Sequence, residues 1–211
     1  MGMITIICVL KSGGIYDASW VGKLKRGVER NLTIPHRFVC LSDVEVDCER
    51  IPLEHDWPGW WAKIALFEPG LISGPTLYLD LDTIITGNMD AFTDLPYDFA
   101  MLENFNDKSF IGSGMMWFKE RAPEGVYERF VEGPQRIMDH YAAVKNGSYM
   151  GDQAFIFDAL DRKVDKIAGP ALRSYKKHCR GGLPEGTAIV CFHGRPRPTE
   201  INPKWLEENW Q

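Results

Sequence analysis

An unbroken apolar run at residues 3–10 (MITIICVL) constrains the fold of this chain more than any other segment. Its β-branched residues are typical of a strand buried on both faces of a parallel sheet. Residues 11–14 (KSGG) break the run, and apolar positions at helical spacing then predict a helix over residues 17–32. A short strand at residues 37–41 follows. Strand, helix and strand in this order predict an α/β fold.

The rest of the chain continues to alternate between strand-like and helix-like segments. Helices are predicted over residues 60–66, 123–144 (with an interruption at Gly133-Pro134) and 154–160, and strands over residues 76–81, 84–85, 99–102, 114–118 and 188–192. The chain has 211 residues, of which 45% are hydrophobic and 25% charged, the balance of a globular domain. We therefore expect a single domain.

Charge and cysteine usage exclude some classes of partner. The net charge of −5 argues against a nucleic-acid partner, whereas the short basic stretches at residues 173–180 and 195–197 are compatible with binding a diphosphate. Cys8, Cys40 and Cys191 lie in apolar runs, and the five cysteines form no CxxC motif, which indicates a reducing, cytoplasmic compartment. We find no leader peptide and no apolar run of transmembrane length, although peripheral membrane contact stays open.

Residues 76–90 (TLYLDLDTIITGNMD) carry the central motif. In an extended chain, Asp80 and Asp82 would point to the same side at the carboxyl end of a buried strand, where open α/β sheets bind ligands. Two converging carboxylates repel each other unless a cation lies between them, and a hard divalent ion would also bridge to a diphosphate. The alternative is a strand end with two solvated or capping aspartates.

A second motif, residues 193–198 (HGRPRP), follows the last predicted strand. His193 is well placed to be a third metal ligand, and two carboxylates with an imidazole suit Mn²⁺ or a similar ion. Gly194 would allow a phosphate to approach the backbone, and Arg197 would contact phosphate oxygens through paired donors. The alternative is a structural histidine followed by a surface tail.

Other residues have both a functional and a structural interpretation. Asp152 and Gln153 would hydrogen-bond sugar hydroxyls, or Asp152 would cap a helix. Lys63 would reach a phosphate, or would be a solvated helix lysine. Gly112 and Gly114 would let a sugar approach the backbone, or would form a turn. Tryptophans in irregular surroundings favour either sugar stacking or core packing; they are Trp57, Trp60, Trp61, Trp205 and Trp210.

Taken in order along most of the chain, these features resemble the GT-A glycosyltransferases, particularly the glycogenin-like and bacterial galactosyltransferase group of family 8. The matching elements are the first strand, a lysine after an aromatic residue, Y-L-D-x-D with a later G-N-x-D, an Asp-Gln pair and a strand that ends in histidine. The resemblance implies a GT-A fold, Rossmann-like, with a mixed and mainly parallel central sheet. It also implies a nucleotide-binding half at about residues 1–90 and an acceptor half at about 91–198, before a tail at 199–211.

The resemblance further implies a hexosyltransferase that uses Mn²⁺ or Mg²⁺ and a nucleotide sugar, a UDP-hexose, with retention. The acceptor would be a saccharide or a lipid-linked or protein hydroxyl. Asp80, Asp82 and His193 correspond to metal ligands, and Asp152 and Gln153 to the catalytic sugar-binding pair. The remaining donor contacts would be Val9, Leu10, Lys11, Ser12, Asp43, Lys63, Asp80, Leu81, Gly194 and Arg197.

This sequence departs from the family pattern at its C-terminal end. The spacing from His193 to Arg197 is shorter than usual, no tryptophan follows Pro198, and the chain is compact. An inverting enzyme would need a carboxylate base, for which Asp152 or Glu103 would serve. Two other functions stay open, a sugar-1-phosphate nucleotidyltransferase and a non-catalytic nucleotide- or sugar-binding protein.

Overall fold

The computed structural model describes residues 3–143 and 149–211. Its strands are β1 (Ile4–Leu10), β2 (His36–Ser42), β3 (Glu49–Pro52), β4 (Thr76–Leu79), β5 (Thr83–Ile85), β6 (Phe99–Glu103), β7 (Ile111–Phe118), β8 (Asp165–Ile167), β9 (Leu172–Ser174) and β10 (Ile189–Cys191). Its α-helices are α1 (Ala18–Asn31), α2 (Val126–Val131), α3 (Pro134–Ala143), α4 (Gly151–Ala159) and α5 (Lys204–Asn209). Short 3₁₀ helices cover Gly59–Phe67, Asp90–Phe92 and Pro198–Glu200, and a π-helical turn covers Tyr175–Cys179.

The central sheet has seven strands in the order β3-β2-β1-β4-β7-β6-β8. β1 pairs in parallel with both β2 and β4, whereas β7 runs antiparallel to β4 and β6. The predicted α/β fold with a mixed, mainly parallel sheet is therefore confirmed. The apolar run that forms β1 lies inside this sheet, where both of its faces are covered.

Alternate residues of β1 face two separate layers of the core. Ile6 and Cys8 pack with the buried face of α1, whereas Ile7 packs with the 3₁₀ helix Gly59–Phe67 and with α2 and α4. α1 begins where the Asp17 carboxylate accepts a hydrogen bond of 2.8 Å from the Ser19 amide, an N-cap that satisfies a free helix donor. Helices thus cover both faces of the sheet.

A second sheet contains β5, β10 and β9, and the sequence did not predict it. β10 runs antiparallel to β5, with Cys191 opposite Thr83, and parallel to β9, with Cys191 opposite Ser174. This register places three chain segments at one edge of the small sheet: the residues before β5, those after β10 and those after β9. That edge adjoins the carboxyl ends of β1 and β4.

Several predicted boundaries are wrong in detail. Residues 60–66 lie in a 3₁₀ helix instead of an α-helix, and the strand predicted over 76–81 ends at Leu79. The predicted helix over 123–144 is divided into α2 and α3 near the Gly133-Pro134 interruption, and residue 144 lies outside the described residues. Within the described ranges, no helix combines the length and the apolar character that crossing a membrane requires.

Candidate active site

A cavity of about 1190 Å³ opens at the carboxyl ends of β1, β4 and β10. This is the position at which open α/β sheets form ligand sites. Most of the residues predicted as functional line it: Val9, Lys11, Ser12, Lys63, Asp80, Leu81, Asp82, Asp152, Gln153, His193, Gly194 and Arg197. Segments that are distant in sequence therefore meet in one place.

Two predicted contact residues, Leu10 and Asp43, do not line the cavity. Leu10 is fully buried in the core beside α1, because successive strand residues point to opposite faces. The Asp43 carboxylate instead accepts hydrogen bonds from the Ser12 amide (2.8 Å), the Ser12 hydroxyl (2.7 Å) and the Lys11 ammonium (2.5 Å). Burial acts to raise the pKa of Asp43, but these donors outweigh it and lower the pKa to about 2. Asp43 thus orders the loop after β1.

Asp80 and Asp82 lie in a turn, so the prediction of an extended Asp80–Asp82 segment is wrong. The Thr83 amide closes the turn by donating to the Asp80 carbonyl at 3.0 Å. Both side chains still reach the cavity, because the turn joins β4 of the large sheet to β5 of the small one. Each carboxylate has a different environment.

The Asp80 carboxylate belongs to a buried network centred on Lys63. The Lys63 ammonium lies 3.0 Å from Asp80 Oδ1 and 3.2 Å from Asp152 Oδ2, and it donates to the Ser113 hydroxyl at 3.0 Å. The Lys63 side chain is only 7% exposed. Burial acts to lower its pKa, but Asp152 and Asp80 outweigh this effect and hold the pKa above its usual value. Lys63 is therefore a charged bridge between two carboxylates, and not a solvated helix lysine.

The Asp82 carboxylate is bound by Tyr16 and Arg197. The Tyr16 hydroxyl donates to Asp82 Oδ2 at 2.8 Å, and Arg197 Nη1 donates to the same oxygen and to the Tyr16 oxygen. Asp82 is 2% exposed. Burial, followed by the charge of Asp80, raises the pKa of Asp82 to about 6, against the opposing effect of Arg197. The turn thus contains a carboxylate that depends on a neighbouring cation to stay ionised.

His193 supplies an imidazole to the same cavity, from the segment that follows β10. Its Nε2 lies 2.7 Å from the Ser174 hydroxyl, and its ring stacks on Phe105 with centroids 5.9 Å apart. Burial, together with the charges of Lys176 and Lys177, lowers the pKa of His193 to about 4. The ring is therefore neutral at pH 7, the form in which histidine binds metal ions.

Glycines bring the backbone close to the functional side chains. A Cβ on Gly114 would lie 3.3 Å from Asp80 Oδ2, and one on Gly112 would lie 3.9 Å from Gln153 Oε1. Gly151 has a φ of +65°, and a Cβ there would lie 3.0 Å from Trp60 Nε1. A side chain at position 114 would therefore crowd the Asp80 carboxylate, whereas the contacts at position 112 are ordinary van der Waals contacts.

The tryptophans divide between core and cavity. Trp57 and Trp61 are buried in the core, whereas Trp60 is 54% exposed and lines the cavity. Ile15 and Met150 are exposed large hydrophobic residues that also line it. The rim of the site therefore combines apolar surface with the charged residues deeper inside.

In residues 3–143 and 149–211, no group of three or more His, Cys, Asp or Glu side chains is arranged to hold a metal ion. Asp80 is paired with Lys63, and Asp82 with Arg197, so cationic side chains neutralise the two carboxylates. The donor set nevertheless fits Mn²⁺ or Mg²⁺ chemically, because it offers two carboxylates and a neutral imidazole in one cavity. Arg197 would have to leave Asp82 for that carboxylate to bind an ion.

Sequence analysis missed several residues of this site. Tyr78 donates to Asp80 Oδ1, and its position on β4, two residues before Asp80, was a usable signal. Tyr16 and Ser113 carry no local signal, because only the tertiary fold brings them to the cavity, whereas Lys176 belongs to the basic stretch at residues 173–180. Trp60 had no sequence signal that distinguished it from the other tryptophans in irregular surroundings.

No family model matches this chain, and no curated protein matches it. Several solved structures are similar to it in fold. The apo-form glycosyltransferase GlyE of Streptococcus pneumoniae TIGR4 matches with a TM-score of 0.62 at 13% identity, over 93% of this chain and 56% of that one. An active-site mutant of LgtC matches with a TM-score of 0.62 at 11% identity, over 97% and 93%. The galactosyltransferase LgtC in complex with donor and acceptor sugar analogs matches with a TM-score of 0.61 at 12% identity, over 92% and 88%.

These similarities show that the chain has the GT-A glycosyltransferase fold. It spans 56% of the GlyE chain but 93% of the LgtC chain to which it is similar. The fold class expected from the sequence is confirmed. The narrower resemblance to family 8 stays a prediction.

Proposed function

We propose that this protein is a metal-dependent glycosyltransferase that transfers a hexose from a UDP-sugar to a hydroxyl acceptor. The observation that carries the proposal is the meeting of Asp80, Asp82 and His193 in the cavity of a GT-A fold. They come from two segments separated by more than half of the chain. Two acids and a neutral imidazole at such a site suit a metal-bound diphosphate.

Asp80, Asp82 and His193 would hold Mn²⁺ or Mg²⁺, which supplies Lewis-acid neutralisation of charge on a departing diphosphate. Arg197 would move from Asp82 to phosphate oxygens when a donor binds, since its guanidinium already lies at the cavity wall. Gly194 would let the phosphate approach the backbone. Val9 and Ser12 would contact the nucleoside.

Lys63 contributes by positioning, because its ammonium is already used by two carboxylates and a hydroxyl. It would hold Asp80 and Asp152 in place, with Asp152 oriented toward a sugar hydroxyl. Gln153, adjacent to Asp152 at the start of α4, would lie at the reacting face of the sugar.

We expect retention of anomeric configuration, by a same-face reaction in which the leaving phosphate accepts the acceptor proton. The inverting alternative requires a free carboxylate base. Glu103 does not line the cavity in the described structure and lies 3.5 Å from Lys108, and Asp152 is paired with Lys63. Neither residue is suited to that role.

For the acceptor, we propose a saccharide or a lipid-linked or protein hydroxyl. The apolar rim formed by Ile15, Trp60 and Met150 supports an acceptor with an apolar face, because sugar C–H faces and lipid chains both pack on such surfaces. A cytoplasmic location with peripheral membrane contact is compatible with this rim.

A thermal-shift panel of UDP, UDP-hexoses, nucleoside triphosphates and free saccharides, with and without Mn²⁺, tests the proposal. We expect stabilisation by UDP and UDP-hexose that depends on Mn²⁺. Stabilisation by triphosphates but by no nucleoside diphosphate would instead identify a nucleotidyltransferase. Metal-independent stabilisation by saccharides alone would identify a lectin-like protein.

A further inference from the structure

The ammonium group of Lys176 lines the cavity without a counter-ion. Lys11 and Lys63, which also line the cavity, are paired with carboxylates. Among the residues that the structure describes, none accepts a hydrogen bond from Lys176 or forms an ion pair with it. Lys176 is also half-buried, so its charge is partly withdrawn from water. A half-buried ammonium without a counter-ion favours the binding of an anion.

The fold places Lys176 beside the candidate metal ligand His193. β9 and β10 are parallel, and Ser174 is opposite Cys191. Lys176 lies two residues after Ser174, and His193 lies two residues after Cys191. Both residues are therefore at the same edge of the small sheet. The Ser174 hydroxyl lies 2.7 Å from His193 Nε2 and connects the two segments.

Lys176 lies directly against the backbone that follows His193. A Cβ built on Gly194 would lie 3.1 Å from Lys176 Nζ, and Gly194 has a φ of +72°. A side chain at position 194 would therefore separate the ammonium from the backbone at which a phosphate is expected. Burial, followed by the charges of Arg180 and Arg197, lowers the pKa of Lys176. Arg197 is neutralised by Asp82, so Lys176 is the cation of this part of the cavity that has no carboxylate partner among the described residues, and such a cation attracts an anion.

We propose that Lys176 binds the phosphates of the nucleoside diphosphate beside the backbone of Gly194. This inference rests on the proposed function. Lys176 would act together with Arg197, and its ammonium would donate hydrogen bonds to phosphate oxygens.

Calorimetric titration of UDP in the presence of Mn²⁺ tests this role in the wild type, Lys176→Ala and Lys177→Ala. Lys177 is the matched control, because it is the next lysine along the chain but is exposed and does not line the cavity. We expect Lys176→Ala to weaken UDP binding roughly 10-fold to 100-fold, the effect of losing a hydrogen bond to a charged group. Lys177→Ala should bind UDP as the wild type does, and Lys176→Arg should recover most of the affinity.

Uridine separates phosphate binding from damage to the site, because it lacks phosphates. We expect Lys176→Ala to bind uridine as the wild type does. Lys176→Gln, which keeps most of the side-chain length, gives the same comparison if the alanine variant is unstable. Equal UDP affinity in the wild type and Lys176→Ala would overturn the inference, as would an equal loss of uridine and UDP binding. A wild type that does not bind UDP would contradict the proposed function itself.

Discussion

The buried Lys63 ammonium lies 3.0 Å from the partly exposed Asp80 carboxylate and 3.2 Å from the buried Asp152 carboxylate. The buried charges of Lys63 and Asp152 are stable only while both remain, since either one would otherwise be an uncompensated buried ion. Lys63 therefore determines the geometry of the acidic side of the cavity.

Lys63→Met should be strongly destabilising, because it leaves Asp80 and Asp152 without their shared cation. We expect a loss of about 3–5 kcal/mol in the free energy of unfolding, measured by urea denaturation. Lys119→Met is the control, because Lys119 is exposed and lies 3.8 Å from the exposed Asp98. A loss for Lys63→Met no larger than that for Lys119→Met would show that the ion pairs contribute little.

Gly151 has a specific steric role beneath Trp60. Alanine at this position would adopt a positive φ and place its Cβ 3.0 Å from Trp60 Nε1. We expect Gly151→Ala to lower the free energy of unfolding by about 1–2 kcal/mol and to change the tryptophan fluorescence. Gly181→Ala should change neither quantity, because Gly181 has no positive φ and a Cβ there would contact nothing within 4 Å. Identical results for the two variants would refute this role.

At the scale of elements, the loop after β1 is fixed by Asp43 at the end of β2. The pKa of this carboxyl is about 2 in the folded protein against 3.8 for an unperturbed aspartate. Since the folded pKa is the lower one, the stabilisation is complete above pH 4 and is lost as the pH falls toward 2.

Asp43→Asn should therefore reduce stability at neutral pH, with an effect on the order of 2 kcal/mol that disappears near pH 2. Chemical denaturation of the wild type and the variant between pH 2 and pH 7 measures the difference. Asp98→Asn serves as the control, because that carboxylate is fully exposed. A difference that stays constant down to pH 2 would mean that Asp43 does not act through its charge.

The elements that could be predicted from sequence were those with a strong local pattern. β1 and α1 have long periodic runs, whereas β3, β8 and β9 are three or four residues long, too short to show a period. Over residues 60–66, the spacing of apolar side chains does not distinguish a 3₁₀ helix from an α-helix. The small sheet joins strands from distant parts of the chain, so its register depends on tertiary packing.

The candidate site likewise contains residues that a local sequence pattern predicts and contacts that depend on tertiary packing. That Asp80, Asp82 and His193 line one cavity was predictable, because each follows a buried strand and strand ends meet at sheet edges. The partners of these residues were not predictable. Arg197 reaches Asp82 across 115 positions of sequence, and Tyr16 reaches it across 66. Such pairings depend on the whole fold.

At the scale of the whole molecule, the charge distribution matters more than the net charge of −5. The cavity is lined by the carboxylates Asp80 and Asp82, which pair with Lys63 and Arg197, and by Lys176, for which the described residues supply no carboxylate partner. This charge distribution suits a ligand that combines a metal ion with a diphosphate, because the carboxylates would bind the ion and the cations the phosphates.

Hydrolysis of UDP-hexose donors in the presence of Mn²⁺ is the most direct test of the proposed metal–diphosphate site. We compare the wild type with Asp82→Ala and with Asp98→Ala, whose carboxylate is exposed and does not line the cavity. We expect the wild type and Asp98→Ala to release UDP at equal rates, and Asp82→Ala to be slower by a factor on the order of 100. Equal hydrolysis by the wild type and Asp82→Ala would contradict the metal–diphosphate role of this site.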